Sequence, residues 1–263
     1  MAYSKEWLNV LNQIDDFCRQ NPLAWFRGHS DASFELKSGL FRSNIPRNLN
    51  EYLLYESYRY NQFRKYGHLD HQLTDWNLLF VMQHHGVETR LLDWTESFAT
   101  ALFFAYRSWT QENDAEIWLL SPNMLNKKNK QPSLIDLAEG DNYIDYLKGE
   151  INFLPYSVAI SPIKNNRRII VQNGTFTMQG NGMQPLDKEC NGELMSEGIL
   201  VRIKLTPTCA EDIKRFLILN GVNEYTLFPD LDGLAKFVNN PGLEVQTLKA
   251  LEKKAASIMT MLN

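Results

Sequence analysis

The side chains best suited to chemistry crowd into one stretch, Gln83-His84-His85-Gly86-Val87-Glu88-Thr89-Arg90-Leu91-Leu92-Asp93-Trp94-Thr95. Leu91 and Leu92 predict a buried middle, and polar groups pinned beside a core are how a rigid site is built. Neighbouring helical residues point about 100° apart, so one of His84 and His85 can face a pocket while the other caps or packs. His84 is the expected inward one, and Thr89 and Asp93 are the other catalytic candidates of the stretch. Arg90 and Trp94 are binding candidates: a guanidinium fork matches phosphate or carboxylate, and an indole can stack on a nicotinamide or a base. Asp93 could orient an arginine or bond a ribose hydroxyl. The competing structural reading is a helix–loop–helix corner in which Arg90 pairs with Asp93 and the histidines cap the first helix.

A second element lies far upstream. Leu23 to Phe26 is a short apolar run, read as a buried strand that delivers Arg27 and Gly28 to its C-terminal end. Gly28 removes a side chain where backbone could approach a ligand closely. Arg27 and Arg90 could then converge on one anion, with the N-terminus of a helix starting near Thr95 adding backbone donors. Gln172, Glu224 and Asp232 are candidates for the far wall, the last two as catalytic carboxylates. A salt bridge at a strand end is the structural alternative for Arg27.

These stretches carry a resemblance. Gln83-His84, Gly86, Thr89-Arg90-Leu91-Leu92-Asp93-Trp94-Thr95, Ala101 and Phe104-Ala105 are similar to the central signature of the FRG domain family. The family's Phe/Tyr-Arg-Gly motif stands here as Trp25-Phe26-Arg27-Gly28. Later marks are Gln172-Asn173-Gly174-Thr175-Phe176 and Leu227-Phe228-Pro229-Asp230-Leu231-Asp232-Gly233-Leu234. The likeness runs from about 23 to 240, and His85 departs from it where the family more often has an aromatic. The Arg-Gly strand end also resembles the first motif of arginine-type ADP-ribosyltransferases, where that arginine holds the dinucleotide. Ala101-Leu102-Phe103-Phe104-Ala105 looks like a segment of the histidine-type members. The usual catalytic glutamate of those enzymes has no clear match.

The resemblance implies an ADP-ribosyltransferase-like effector of toxin or phage-defence type. NAD would be its substrate, through transfer or glycohydrolysis, with a nucleic-acid or protein acceptor and a neutralising partner protein. The alternative is a non-enzymatic sensor of a nucleotide or nucleic acid. A nuclease ranks last, because no paired-carboxylate metal motif is present.

Composition bounds these readings. A net charge of −4 and pI near 5.8 argue against a surface that grips nucleic acid throughout. Cys18, Cys190 and Cys209 are far apart and in no ligand spacing, so neither a disulfide framework nor a zinc site is expected, and a reducing cytoplasmic setting is. No signal peptide and no membrane span are read.

The elements that must position these residues follow from periodicity and caps. Ser4 caps a helix with Trp7, Leu11, Ile14 and Cys18 on its stripe. His29 to Arg47 reads as loop with one short strand or turn, and Asn50 to Tyr66 as an aromatic-rich helix. Thr74 or Asp75 caps the next, buried through Trp76, Leu79 and Phe80 and stopped at Gly86. Thr95 caps a third, with Glu96 in its first turn. Ala115 to Leu120 is a strand, Asn123 to Gln131 a mobile polar loop, and Leu134 to Lys148 a helix. Ile169 to Val171 is a β-branched run. Asn173-Gly174 turns into a strand over 175–178, a loop follows over 180–197, and 198–205 is a half-exposed strand. Thr208 and Glu211 form a capping box for a helix through Leu219. Tyr225 to Phe228 is a strand, Asp230 to Asn239 a helix, and Glu244 to Leu262 a long last helix. The expected fold is α+β, one domain over 1–263 with its core at about 23–240. A helical N-terminal half packs on a strand-rich, mixed or antiparallel sheet, ADP-ribosyltransferase-like, with the helices at 4–20 and 244–262 packed on the core.

Overall fold

Ser4 accepts a hydrogen bond from the Trp7 amide, and the first helix runs from it. Trp7, Val10, Ile14 and Phe17 recur at helical spacing and are buried. In the computed structural model, described over residues 2–131, 134–136, 142–239 and 252, the elements follow in this order. They are α1 (Lys5–Gln20), β1 (Trp25–His29), α2 (Gly39–Arg42), α3 (Leu49–Tyr66), α4 (Asp75–His84), β2 (Leu91–Thr95), α5 (Phe98–Arg107) and β3 (Ala115–Leu120). Then come α6 (Pro122–Lys128), β4 (Ile135–Asp136), α7 (Tyr143–Lys148), β5 (Val158–Ser161), α8 (Arg167–Val171) and β6 (Gly174–Met178). The described chain closes with α9 (Glu193–Ser196), β7 (Leu200–Leu205), α10 (Ala210–Leu219), α11 (Glu224–Leu227) and α12 (Leu231–Val238).

The fold is α+β. One sheet has the order β4-β5-β6-β2-β1-β3-β7, antiparallel apart from the short β4–β5 pair. Alternation along the strands divides the apolar side chains between its two faces. On one face Phe26, Ile117, Leu119, Ile203 and Leu205 pack against α1, α5 and α10. Beside them on that face Leu91, Val158, Ile160, Phe176 and Met178 pack against α3, α4 and α7. The opposite face carries Trp25, Leu92, Trp94, Trp118 and Leu120, covered by Leu36, Leu125, Leu186 and Leu194.

β1 and β2 lie at the centre and share one bridging pair, Phe26 with Thr95. By contrast β2 pairs with β6 along its whole length, as β1 does with β3. The two helical clusters therefore sit on two halves of a sheet that parts in the middle. The halves are not a helical half followed by a strand-rich one, because β1, β2 and β3 all come early.

Several expectations change in the structure. Leu91–Thr95 is a strand, so the polar signature is a helix end, a turn and a strand rather than a corner between helices. Gly86 does stop α4, at φ +78°. The cap of α5 is Ser97, which accepts from the Thr100 amide; Thr95 accepts from Ser97 N instead, and Glu96 precedes the helix. The 123–131 loop is largely α6, whose Lys128 pairs with Glu193 and Glu197. The 29–47 segment contains α2, and the β-branched run over 169–171 lies in α8. Within 134–148 the described residues form β4 and α7 rather than one helix. Thr208 donates to Glu6 and caps nothing, while a capping box forms at Asn223 and Thr226 and makes 224–227 helical where a strand was expected. The helix expected over 244–262 falls outside the described residues, apart from residue 252. Among the described residues no helix is long and apolar enough to cross a membrane.

The 180–197 segment, expected as loop, holds two short 3-10 turns within Leu186–Gly192, separated by a kink at Glu189, Cys190 and Asn191, and then α9. Glu189 is buried there and accepts from the Ser157 amide at 2.9 Å and its hydroxyl at 2.7 Å. Burial pushes the carboxyl up to about 7, against the Ser157 bonds that lower it. With the folded value raised, the unfolded chain releases this proton first, so stability is fully present below the unfolded value near 4.5 and is lost as pH rises through about 7. The loss attributable to this group should approach about 3 kcal/mol at pH 8. Urea melts of the parent and Glu189→Gln at pH 5 and pH 8 measure it: the parent should lose stability across the interval and the variant should not. Equal pH dependence in the two proteins overturns the assignment.

Candidate functional site

Where β1 and β2 part, a cavity of about 430 Å³ opens. Its volume is in the range of small-molecule sites. β1 supplies Arg27, Gly28 and His29, β2 supplies Asp93, and the end of α4 supplies Gln83 and His84. Further walls come from Thr100, Ala101 and Phe104 of α5, Arg168 of α8, Gln172, and Phe228 before α12. Phe26, Phe34, Phe80 and Phe176 add aromatic surface, and Arg42 adds a third guanidinium.

Arg27 lies within β1, two residues before its end, with its side chain 17% exposed. Its Nη1 donates to the Asp93 carbonyl at 2.6 Å and its Nε donates to His29 Nε2 at 3.0 Å. The Asp93 carboxylate is 4.0 Å away, 59% exposed, and accepts from Gln83 Nε2 at 2.8 Å. Gln83 is itself oriented by Thr89, whose hydroxyl donates to Gln83 Oε1 at 2.5 Å. Burial lowers the Arg27 guanidinium to about 10, with Asp93 opposing the fall, so it stays charged at neutral pH. The His84 imidazole is lowered chiefly by burial and then by the charge of Arg168, which favours the neutral ring near pH 7. Arg168 donates to Asp230 at 2.7 Å, and its Nε is buried without a hydrogen-bond partner.

The stretch that frames this cavity also carries the comparison. Residues 23–114 match the family model described as FRG domain. This chain carries an FRG domain. No curated protein and no solved structure gave a match. The matched FRG residues contribute β1, the α4 end, β2 and α5 to the cavity, whereas Gln172, Arg168 and Phe228 join it from beyond the match.

The FRG signature divides between two jobs. Arg27, Gly28, His84, Asp93 and Trp94 border the cavity, and Thr89 reaches it through Gln83; Gln172, expected to bind there, also lines it. Arg90 does not. It is fully buried, its Nε and Nη2 donate to both oxygens of Glu56, and it lies over the Phe153 ring. The expectation that Arg27 and Arg90 share one anion is therefore corrected, as is the pairing of Arg90 with Asp93. In β2 and the residue before it, Arg90 and Asp93 follow different neighbours, the first into the helix-packed core and the second to the cavity rim.

Gly28 faces α5 rather than a ligand: a Cβ there would lie 2.0 Å from the Ala101 carbonyl oxygen. The Trp94 indole is buried in the core with its N–H donated to Thr177, so stacking falls to the phenylalanines. Glu224 pairs with Arg107 at 2.7 Å and Asp232 is exposed on α12; neither lines the cavity. Sequence reasoning missed His29, Arg168 and Glu56. Glu116, also missed, had a signal, a carboxyl within the otherwise apolar run Ala115–Leu120.

Proposed function

We propose that the cavity binds a nucleotide and that its ligand is NAD, used as substrate in an ADP-ribosyltransferase-like or NAD-hydrolysing reaction. The observation that carries this reading is the Arg27 guanidinium, fixed by two hydrogen bonds in the wall of an aromatic cavity. Arginine forks suit phosphate oxygens, and phenylalanine faces suit a base or a nicotinamide. Arg42 and Arg168 extend the positive wall along which a diphosphate could lie. Asp93 is placed to accept from a ribose hydroxyl or to face positive charge developing at the sugar, and neutral His84 could accept a proton. An effector role of toxin or phage-defence type, with a protein or nucleic-acid acceptor and a neutralising partner, belongs to this proposal.

A second reading has its own observation. Asp93 is the sole carboxylate among the described residues lining the cavity, and no glutamate faces it. A site that binds without turnover needs none, which favours a nucleotide- or nucleic-acid-sensing module.

Incubation of the purified protein with NAD, read by chromatography for nicotinamide and by calorimetry for binding, separates the two. Nicotinamide release supports the enzyme, and saturable binding without release supports the sensor. In Arg27→Ala, affinity should fall about 10–100-fold, the worth of a charge-assisted hydrogen bond, with thermal stability near the parent's. A collapse of stability together with binding would return Arg27 to a structural role. Absence of both release and binding in the parent overturns the nucleotide reading.

A further inference from the structure

We propose that His29 and Glu116 are positioning residues for Arg27, forming with it a buried carboxyl–imidazole–guanidinium relay that fixes which edge of the arginine meets the ligand. The proposal rests on the nucleotide reading of the cavity. His29 and Glu116 are directly paired residues of antiparallel β1 and β3, so their side chains leave the sheet on the same face. His29 is 4% exposed and Glu116 is wholly buried. A carboxyl placed in the middle of a sheet is costly unless it is bound. Glu116 Oε1 accepts from Trp118 Nε1 at 2.5 Å and meets His29 Nδ1 at 3.0 Å, while Oε2 has no hydrogen-bond partner and lies 3.8 Å from Arg202 Nη1.

The direction of the relay follows from the donors. An arginine Nε can only donate, so His29 Nε2 must offer its lone pair to Arg27. The ring proton therefore sits on Nδ1 and points at Glu116, the pattern by which a second group sets an imidazole's tautomer. Held at Nε by His29 and at Nη1 by the Asp93 carbonyl, the guanidinium has its plane defined, and its Nη2 edge is left for a ligand. A long side chain fixed before binding loses less freedom when the ligand arrives.

Protonation of His29 would remove the lone pair and set two N–H donors against each other. The charged groups facing the ring are Arg27 on its own strand, Glu116 on β3 and Arg42 on α2, with Arg202 of β7 on the far side of Glu116 and the Phe34 ring 6.0 Å away. Burial lowers the imidazole first, the Glu116 bond raises it, and the arginines lower it further. The net fall keeps His29 neutral near pH 7, and the relay fails as pH drops below the usual imidazole range.

The test uses the whole 263-residue chain, with NAD as titrant between pH 5 and pH 8 and ADP, whose terminal phosphate itself titrates in that range, at pH 7.5 alone. In the parent, affinity should fall on acidification. His29→Leu should weaken binding about tenfold at pH 7.5, the worth of one hydrogen bond to a charged group. His29→Gln can accept from Arg27 and donate to Glu116 without titrating, so it should keep the affinity at pH 7.5 and lose the acid limb. A structural histidine would not yield that separation. Nitrogen-15 spectra of the ligand-free parent at pH 7.5 give an independent reading, with His29 protonated at Nδ1 and bare at Nε2. An Nε2-protonated ring, His29→Leu that binds like the parent, or an acid limb that persists in His29→Gln overturns the relay. A parent that binds neither ADP nor NAD overturns the nucleotide reading alone, and the ring tautomer then decides the relay.

Discussion

Arg90→Ala is expected to lose about 3–5 kcal/mol of folding stability, the cost of stranding one member of a buried ion pair. Arg90 is fully buried, and Glu56 beside it is 4% exposed. The guanidinium reaches both oxygens of Glu56, the Gln179 carbonyl at 3.1 Å and Asn181 Oδ1 at 3.3 Å, with Cζ 3.2 Å from the Phe153 ring centroid. Glu56 also accepts from the Tyr143 hydroxyl at 2.6 Å. The cluster thus ties α3, the entry to β2, α7 and the segment after β6 into one unit. Removing the arginine leaves the Glu56 carboxyl in the core with the Tyr143 hydroxyl. Urea denaturation measures the loss, and a paired Arg90→Leu, Glu56→Leu protein should recover most of it, because apolar residues can replace a buried pair at little cost. An Arg90→Ala protein that unfolds like its parent but fails to bind nucleotide would restore Arg90 to the site and refute the structural assignment.

Gly28→Val is expected to destabilise by about 3 kcal/mol or more, the upper end for overpacking. The first added carbon would lie 2.0 Å from the Ala101 carbonyl oxygen and 2.6 Å from the Ala105 amide nitrogen. Both are backbone atoms of α5, so no side chain can swing away, and the helix must lift from β1. Because Thr100, Ala101 and Phe104 wall the cavity, the same displacement should weaken ADP or NAD binding. Denaturation midpoints and calorimetric titrations of parent and variant check both effects together. Retained stability would show that α5 does not seat on Gly28.

The sequence by itself determined the local structure at Ser4, at Gly86 and in the apolar run Ala115–Leu120, whereas the caps expected at Thr95 and Thr208 gave way to other partners. Ser4 and the stripe after it predicted α1, Gly86 predicted the end of α4, and Ala115–Leu120 predicted β3, because these signals act over a few neighbouring residues. The signature stretch identified the FRG domain, and it pointed to the neighbourhood of the site. Only the tertiary structure decided which polar residues meet. Arg90 and Asp93 stand three apart in the chain, yet one is drawn to Glu56 on α3 and the other to the rim beside Arg27. The expected short-range pairing failed because a strand sends its side chains to different surroundings, and the partner of each is set by long-range strand and helix placement. Glu56, His29, Glu116 and Arg168 had no pairing written in local spacing. Their roles arise where antiparallel register sets His29 beside Glu116 and where two halves of a sheet part at a single bridge.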